Sequence, residues 1–335
     1  MESFSGYSFC KAHSASFAVE SYQSLFFKAH YPLEFMVGVI NNFGGFYRTE
    51  VYLHEARRAG AVVHAPCVNH AGLLSRVQGV NLWLGFVHLL GLERKLAEAI
   101  VLARERAGLF LGLADLLQRT RLGLESVTIL IRIGALRFTG KSKKKLLWEA
   151  NMYFSKAPAR KQATALFVPP QKDWVLPDLP DDCIEDAYDA IELLGFPIPP
   201  VSPVEMALPE EDHLSLPDIV RPPIFDLLAC PLGKGEVVAA QLPQFVGKRV
   251  FISGYLICTK QVRTVRKDMM GFCDFVDVQG NYFDATLFPN VYMKYPLTGI
   301  GIYRMVGKVA NDYGVPSLEV EAIERLSYCS DPRRA

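Results

Sequence analysis

Lys11 and His13 stand two residues apart and run into the small polar stretch Ser14-Ala15-Ser16. An ammonium and an imidazole in that spacing are donors for an anion, and charge-assisted hydrogen bonds to phosphate oxygens are among the strong ones. From Ala15 onward the apolar residues fall at Phe17, Ala18, Tyr22, Leu25, Phe26 and Ala29, which fits one face of an amphipathic helix. Ser14 or Ser16 can cap its start, and Pro32 lies just past its end. Lys11 and His13 then sit at or just before the helix N-terminus, where free N–H groups and the helix dipole also favour an anion. A phosphate is the expected guest. The same residues also read as a surface loop whose histidine caps the helix.

Two further stretches carry positive charge. Residues 132–161 hold nine Lys and Arg against Glu149 alone, with Arg137, Lys141, Lys143, Lys144 and Lys145 at the centre. Residues 178–236 hold fourteen Asp and Glu against Arg221 and Lys234, so the net charge of +1 hides a strong segregation. A polyanion responds to the segregation rather than to the sum. The cluster at 137–145 is therefore expected on DNA phosphates, or else is a solvated helix end. The acidic face near residues 182–195 reads as solvated. The second stretch, residues 259–267, carries Lys260, Arg263, Arg266 and Lys267. Phe272, Phe275, Tyr282 and Phe288 follow it as rings on which bases could stack, although strand alternation sends about half of such side chains inward.

Other chemistry has little support. Asp181-Asp182 and Glu210-Glu211-Asp212 lie in proline-flanked linker sequence, not in the strand-turn setting of a metal site, so no catalytic residue, metal ligand or cofactor is expected. Seven cysteines without a Cys-x-x-Cys pair read as buried thiols of a reducing compartment. Without an apolar run of ~20 residues or a signal peptide, the expectation is a cytoplasmic chain with no membrane partner.

Four regions must position these groups: residues 1–70, 71–150, 151–236 and 237–328. The first is helical, with a second helix over 47–60 that Gly60 stops. In the second, a lead-in at 82–87, a short turn at Gly91-Leu92-Glu93 and a helix over 95–106 have the pattern of a helix-hairpin-helix, which offers backbone N–H groups to DNA phosphates. The third reads as linker followed by the acidic helix. The fourth holds five strand-like runs, at 250–257, 271–278, 282–288, 303–309 and 317–323, and suits an OB-fold barrel that binds single strands. The expected fold class is α+β multi-domain: a helical N-terminal half with a tandem helix-hairpin-helix, then a five-stranded OB-fold barrel.

The first block continues beyond phosphate chemistry: Tyr7, Phe9, Lys11, His13, Ser14 and Ala15, then Tyr22-Gln23, then Lys28, His30-Tyr31-Pro32 and Glu34-Phe35-Met36. In this it resembles the fingers of the C-family bacterial DNA polymerases, the alpha subunit of DNA polymerase III. The resemblance weakens but continues along nearly the whole chain, including Glu55-Ala56-Arg57, Gly134-Ala135-Leu136 and Phe288-Pro289. Phe17 departs from the family's usual tyrosine. Glu93 replaces the second glycine of the hairpin, which puts a carboxylate near the phosphate position and implies packing more than phosphate binding there.

The resemblance implies a C-terminal portion of such a subunit, from a split or truncated gene or an excised piece. It would take part in DNA-templated DNA synthesis in replication or repair. Lys11, His13, Ser14 and Phe17 would contact the incoming nucleotide. The 137–145 segment would hold duplex primer-template, and the 260–267 turn would guide single-stranded template. Gln162, Leu166 and Phe167 match the family's short peptide for the sliding clamp. The palm motifs that hold Mg²⁺ are missing, so an N-terminal palm-containing fragment is an implied partner and the chain alone is expected to be inactive. The alternative is a non-catalytic helix-hairpin-helix and OB adaptor that uses the same surfaces.

Overall fold

The computed structural model describes residues 11–155, 180–199, 220–312 and 314–334. Three helices open it: α1 (Lys11–His30), α2 (Pro32–Asn41) and α3 (Thr49–Arg58). Pro32 takes the first position of α2, where its missing N–H costs nothing and its fixed φ suits the helix. Helix α1 begins at Lys11, so Ser14 and Ser16 lie inside it instead of capping it. Ser16 Oγ donates to the Ala12 carbonyl at 3.0 Å, a back-bond typical of serine within a helix. The apolar stripe of α1 is not covered by any described residue: Tyr22 is 72% exposed and Leu25 67%. By contrast, α2 buries Met36 and Ile40, and α3 buries Val51, Leu53, His54 and Ala56.

A three-stranded sheet follows, made of β1 (Val62–His64), β2 (Arg76–Gln78) and β3 (Asn81–Trp83). β3 lies in the middle, parallel to β1 and antiparallel to β2. Helices α4 (Arg94–Ala107), α5 (Leu113–Arg119), α6 (Leu124–Arg132), α7 (Lys143–Ser155) and α8 (Cys183–Leu194) complete the helical half. Leu82, Phe86, Ile100, Phe110, Leu116 and Leu130 are at the centre of its core. Asn69 locks two loops together: its side chain donates to the Phe110 carbonyl at 3.0 Å and accepts from the Phe110 amide at 2.8 Å. Helix α8 is capped at both ends, by the Asp182 carboxylate on the Ile184 amide and by Gly195 at φ +90°. Its Ala190, Leu193 and Leu194 join the same core.

The C-terminal half is a closed barrel of β4 (Arg249–Arg263), β5 (Met269–Val276), β6 (Tyr282–Leu287), β7 (Ile302–Asp312) and β8 (Val315–Arg325). Its strand order is β4-β5-β6-β8-β7, with only β6 and β8 parallel, and helix α9 (Pro289–Lys294) lies between β6 and β7. A five-stranded barrel of this kind is the OB-fold architecture. Alternation sends Ile252, Phe275, Phe283, Leu287, Met305 and Leu318 into its core. β4 runs on to Arg263, paired with Met269, so the basic turn is shorter than the sequence suggests and only residues 264–268 remain as its tip.

The two halves share a third apolar cluster that includes Phe225, Tyr255, Val276 and Ile302. Polar bonds frame it. Arg48 donates to the Leu256 carbonyl at 3.1 Å, and His54 Nε2 meets the Gly280 carbonyl at 3.0 Å. Among the described cysteines Cys67 and Cys273 are buried, whereas Cys183 and Cys230 are exposed, which corrects the expectation that all are buried thiols. Among the described residues no helix is long and apolar enough to cross a membrane.

Candidate nucleic-acid interface

Lys11 opens α1, and His13, Ser14 and Phe17 lie on its first two turns. The His13 and Phe17 rings meet edge-to-face at 4.5 Å, one turn apart, and both are exposed. The residues expected to contact a nucleotide thus lie on one short helical segment, on which His13 and Phe17 are exposed and Ser14 is half-buried.

The basic cluster is arranged differently. Arg137 pairs with Asp186, Lys141 with Glu149 at 2.7 Å, and Lys144 with Glu185 at 3.2 Å. Lys143 is buried and pairs with Asp186 at 2.5 Å and Asp189 at 3.2 Å. Arg132 binds Asp189 at 2.8 Å and also Glu192, and Arg333 near the C-terminus bonds to Asp189, Glu192 and Asp331. Burial works against the Arg132 cation, yet its bonds to Glu192 and Asp189 hold its pKa above the ordinary value. The Arg132 hydrogen bond keeps the Glu192 pKa low. The acidic face of α8, expected to be solvated, is instead the counter-charge for this segment. Lys145 alone of the five has no ion pair among the described residues. The Gly91 hairpin is similarly engaged: the Leu90 amide donates to the Leu193 carbonyl at 2.8 Å. Gly91 adopts φ +82°, where an added Cβ would lie 3.1 Å from Ile129 Cδ1.

On the barrel, Lys260, Arg263, Arg266 and Lys267 are all exposed and form no ion pair among the described residues. Of the four candidate rings, Phe275 is fully buried in the barrel and Tyr282 packs against His54 and under Arg58. Phe272 and Phe288 are each 44% exposed. The outer face of β4, β5 and β6 is layered. Tyr255, Val276 and Tyr282 face α3. Next comes a row in which Cys258 Sγ donates to Asp274 at 2.8 Å and Asp274 pairs across the strands with Asp284. Burial and then the neighbouring Asp274 push the Asp284 carboxyl above its usual range, and burial with the bond to Asp274 pushes the Cys258 thiol up to about 12. Beyond that row lie Lys260 and Phe272, paired in register, and then the basic tip. Gln162, Leu166 and Phe167 lie outside the described residues.

Sequence reasoning missed the carboxylate row and an aromatic loop between α2 and α3 that holds Phe43, Phe46 and Tyr47. The signal for the loop was present as rings interleaved with Gly44-Gly45 between two helices.

The helix-hairpin-helix motif family matches residues 60–146, the stretch from β1 into α7. The chain is 36% identical over 165 residues to an error-prone DNA polymerase of Mycobacterium bovis, covering 48% of this chain and 15% of that protein. The same enzyme of Mycobacterium tuberculosis strain H37Rv gives the same figures. The DNA polymerase III subunit alpha of Thermus aquaticus is 34% identical over 143 residues, 41% of this chain and 12% of that protein. An asparaginyl-tRNA synthetase structure from Pyrococcus horikoshii is similar at 21% identity and a TM-score of 0.23, over 31% of this chain and 26% of that one, and has no bearing on function. A helix-hairpin-helix region and a closed five-stranded OB-like barrel in one chain define its class. Over about half its length the chain is related to the C-family DNA polymerases and resembles a C-terminal portion of them, and the match spans about 15% of the first of these relatives.

Proposed function

We propose that the chain supplies nucleotide and DNA contacts to a C-family DNA polymerase whose palm lies on another polypeptide segment. The observation that carries this reading is a helix-hairpin-helix match at 60–146 in the same chain as a closed five-stranded barrel whose basic hairpin forms no ion pair among the described residues. In the assembled enzyme Lys11, His13, Ser14 and Phe17 face the incoming nucleotide. The 260–267 hairpin tracks single-stranded template. Duplex product lies along the helix-hairpin-helix half, where Lys145 is the cation of the 137–145 segment without an ion pair among the described residues. Gln162, Leu166 and Phe167 dock on the sliding clamp. Mg²⁺ would be held by the palm-containing partner, where it would supply Lewis-acid chemistry.

Primer extension tests the proposal. The chain, a palm-containing fragment of a related polymerase and their mixture are each given primer-template, Mg²⁺ and four nucleotides. Extension by the mixture alone is the expected result, and Lys11→Ala with His13→Ala should raise the KM for nucleotide. A mixture that stays inactive while the chain binds DNA leaves the adaptor reading standing and overturns this one. Extension by the chain alone would show that it holds catalytic carboxylates of its own.

A further inference from the structure

Residues 42–48 hold large rings out in water. Phe46 is 82% exposed and Phe43 63%. Phe43 takes φ +49°, a left-handed conformation that strains a bulky side chain. The loop is firmly tied nonetheless. The Asn42 side chain donates to the Gly38 carbonyl at 2.7 Å, the Gly44 amide to the Val39 carbonyl at 3.2 Å, and the Tyr47 amide to the Tyr52 hydroxyl at 3.2 Å. Gly45, at φ +94°, lies so close to Tyr52 that an added Cβ would be 1.9 Å from its hydroxyl oxygen. Phe43 meets the buried His88 ring at 5.1 Å, whereas Phe46 meets the Tyr47 ring of its own loop at 5.0 Å and has no core contact among the described residues.

Arg48, the next residue, sets this loop on the barrel. It bonds to the Leu256 carbonyl at 3.1 Å, lies over the Tyr255 ring at 5.4 Å and pairs with Glu50 at 2.8 Å. The ladder there is irregular: Leu256 pairs with Phe275 and Cys258 with Asp274, which leaves Ile257 as an extra residue. Such a bulge re-aims the side chains that follow it. Outward from the loop the barrel face presents the Cys258–Asp274–Asp284 row, then Phe272 beside Lys260, then the basic tip. Phosphates are repelled by the carboxylate row and attracted by the tip. The N–H groups that unpaired bases expose on their pairing edges, thymine N3–H among them, can donate to those same carboxylates. Duplex DNA, with its bases already stacked, gains nothing from free rings.

We infer that Phe46 of the helical half and Phe272 of the barrel are two rings of one stacking surface for the unpaired bases of a single strand whose phosphates lie on the 260–267 hairpin. The inference rests on the DNA-binding reading above and adds to it a contribution from the α2–α3 loop. Sequence-tolerant stacking suits a site built from rings, since every base has a π-face.

Fluorescence anisotropy of the whole chain with a labelled oligothymidine, an abasic strand of equal length and charge, and a duplex tests it. Phe46→Ala, at a solvent-exposed position, should keep the fold, which circular dichroism checks. It should weaken oligothymidine binding about 10-fold, in the range known for loss of one stacked base. Its salt slope, abasic-strand affinity and duplex affinity should stay as in the unaltered chain. Phe46→Leu, apolar but unable to stack as well, should also lose affinity, and Phe272→Ala should act like Phe46→Ala. Full affinity in Phe46→Ala, or equal losses on the abasic strand, overturns the inference. Full affinity in Phe46→Leu points to an apolar contact, such as a protein surface, and overturns it too. In each case, if Arg263→Glu still weakens binding, the broader DNA-binding reading survives.

Discussion

The Tyr255 hydroxyl on the first barrel strand donates to the Glu50 carboxylate on the third helix, at 3.0 and 3.2 Å to its two oxygens. This bond and the Arg48 pair lie at the joint between the halves. Burial raises the Glu50 pKa despite Arg48 and the Tyr255 bond. An acid whose folded pKa lies above its unfolded value binds its proton more tightly when folded. Its stabilising effect is therefore full below the unfolded pKa and is lost as pH rises through the raised value. Glu50→Gln keeps an acceptor for Tyr255 and removes the buried charge, so its urea midpoint at pH 7 should match or exceed that of the unaltered chain. Glu50→Ala orphans both the Tyr255 hydroxyl and Arg48, and should cost about 1–3 kcal/mol.

Acid should destabilise the joint through His54. Burial lowers its pKa first, against the Gly280 carbonyl bond, which raises it. A base with a lowered folded pKa contributes fully above its unfolded value, about 6.5, and loses that contribution as pH falls towards the folded value. His54→Asn should therefore flatten the fall in unfolding midpoint between pH 7 and 5. An unchanged pH profile would remove His54 from this account. His70 and His88, also lowered by burial, add to the same trend in the parent chain.

Asp189 joins four elements through Arg132, Lys143 and Arg333. Asp189→Leu removes the carboxylate that Arg132, Lys143 and Arg333 share, leaves the buried Lys143 with Asp186 as its remaining described partner, and should cost about 3–5 kcal/mol in urea unfolding. Asp189→Leu combined with Lys143→Met removes both buried charges and should recover much of that loss. A double variant as unstable as the sum of its singles would mean that the two residues act independently.

Gly85 packs without room for a side chain. An added Cβ would sit 2.3 Å from the Leu74 carbonyl carbon and 2.5 Å from the Ser75 amide nitrogen. These are backbone atoms, so Gly85→Ala should lower stability by about 1–3 kcal/mol. A thermal midpoint within 1 °C of the parent would contradict that close approach.

What could be read from the sequence was local. Helix α4 and the five strands follow from 3.6- and 2-residue periodicities, and Gly91 and Gly134 both adopt the positive φ that turns favour. The partners of the basic cluster could not be read, because Lys143 and Asp189 lie on different helices with a linker between them. The outer end of β4 reads as a turn in the sequence because exposed Lys260 and Arg263 carry no apolar signal, while pairing with β5 keeps them in the strand. Ser14 and Ser16 lie inside α1 for a related reason. Ser14 and Ser16 suit a cap, but serine also bonds within a helix, as Ser16 does. The displayed rings of Phe43 and Phe46 depend on how Gly45 folds over Tyr52, a contact that no periodicity encodes.

The most direct measurement is the salt dependence of single-stranded DNA affinity in three proteins: the parent chain, Arg263→Ala/Arg266→Ala/Lys267→Ala, and Lys141→Ala/Lys144→Ala. Each lost phosphate contact should flatten the slope of log K against log salt by ~0.7. The hairpin variant should therefore be shallower by about 2, and the variant of the paired lysines should keep the parent slope. A parent slope in the hairpin variant, or a flattened one in the Lys141/Lys144 variant, would contradict the account.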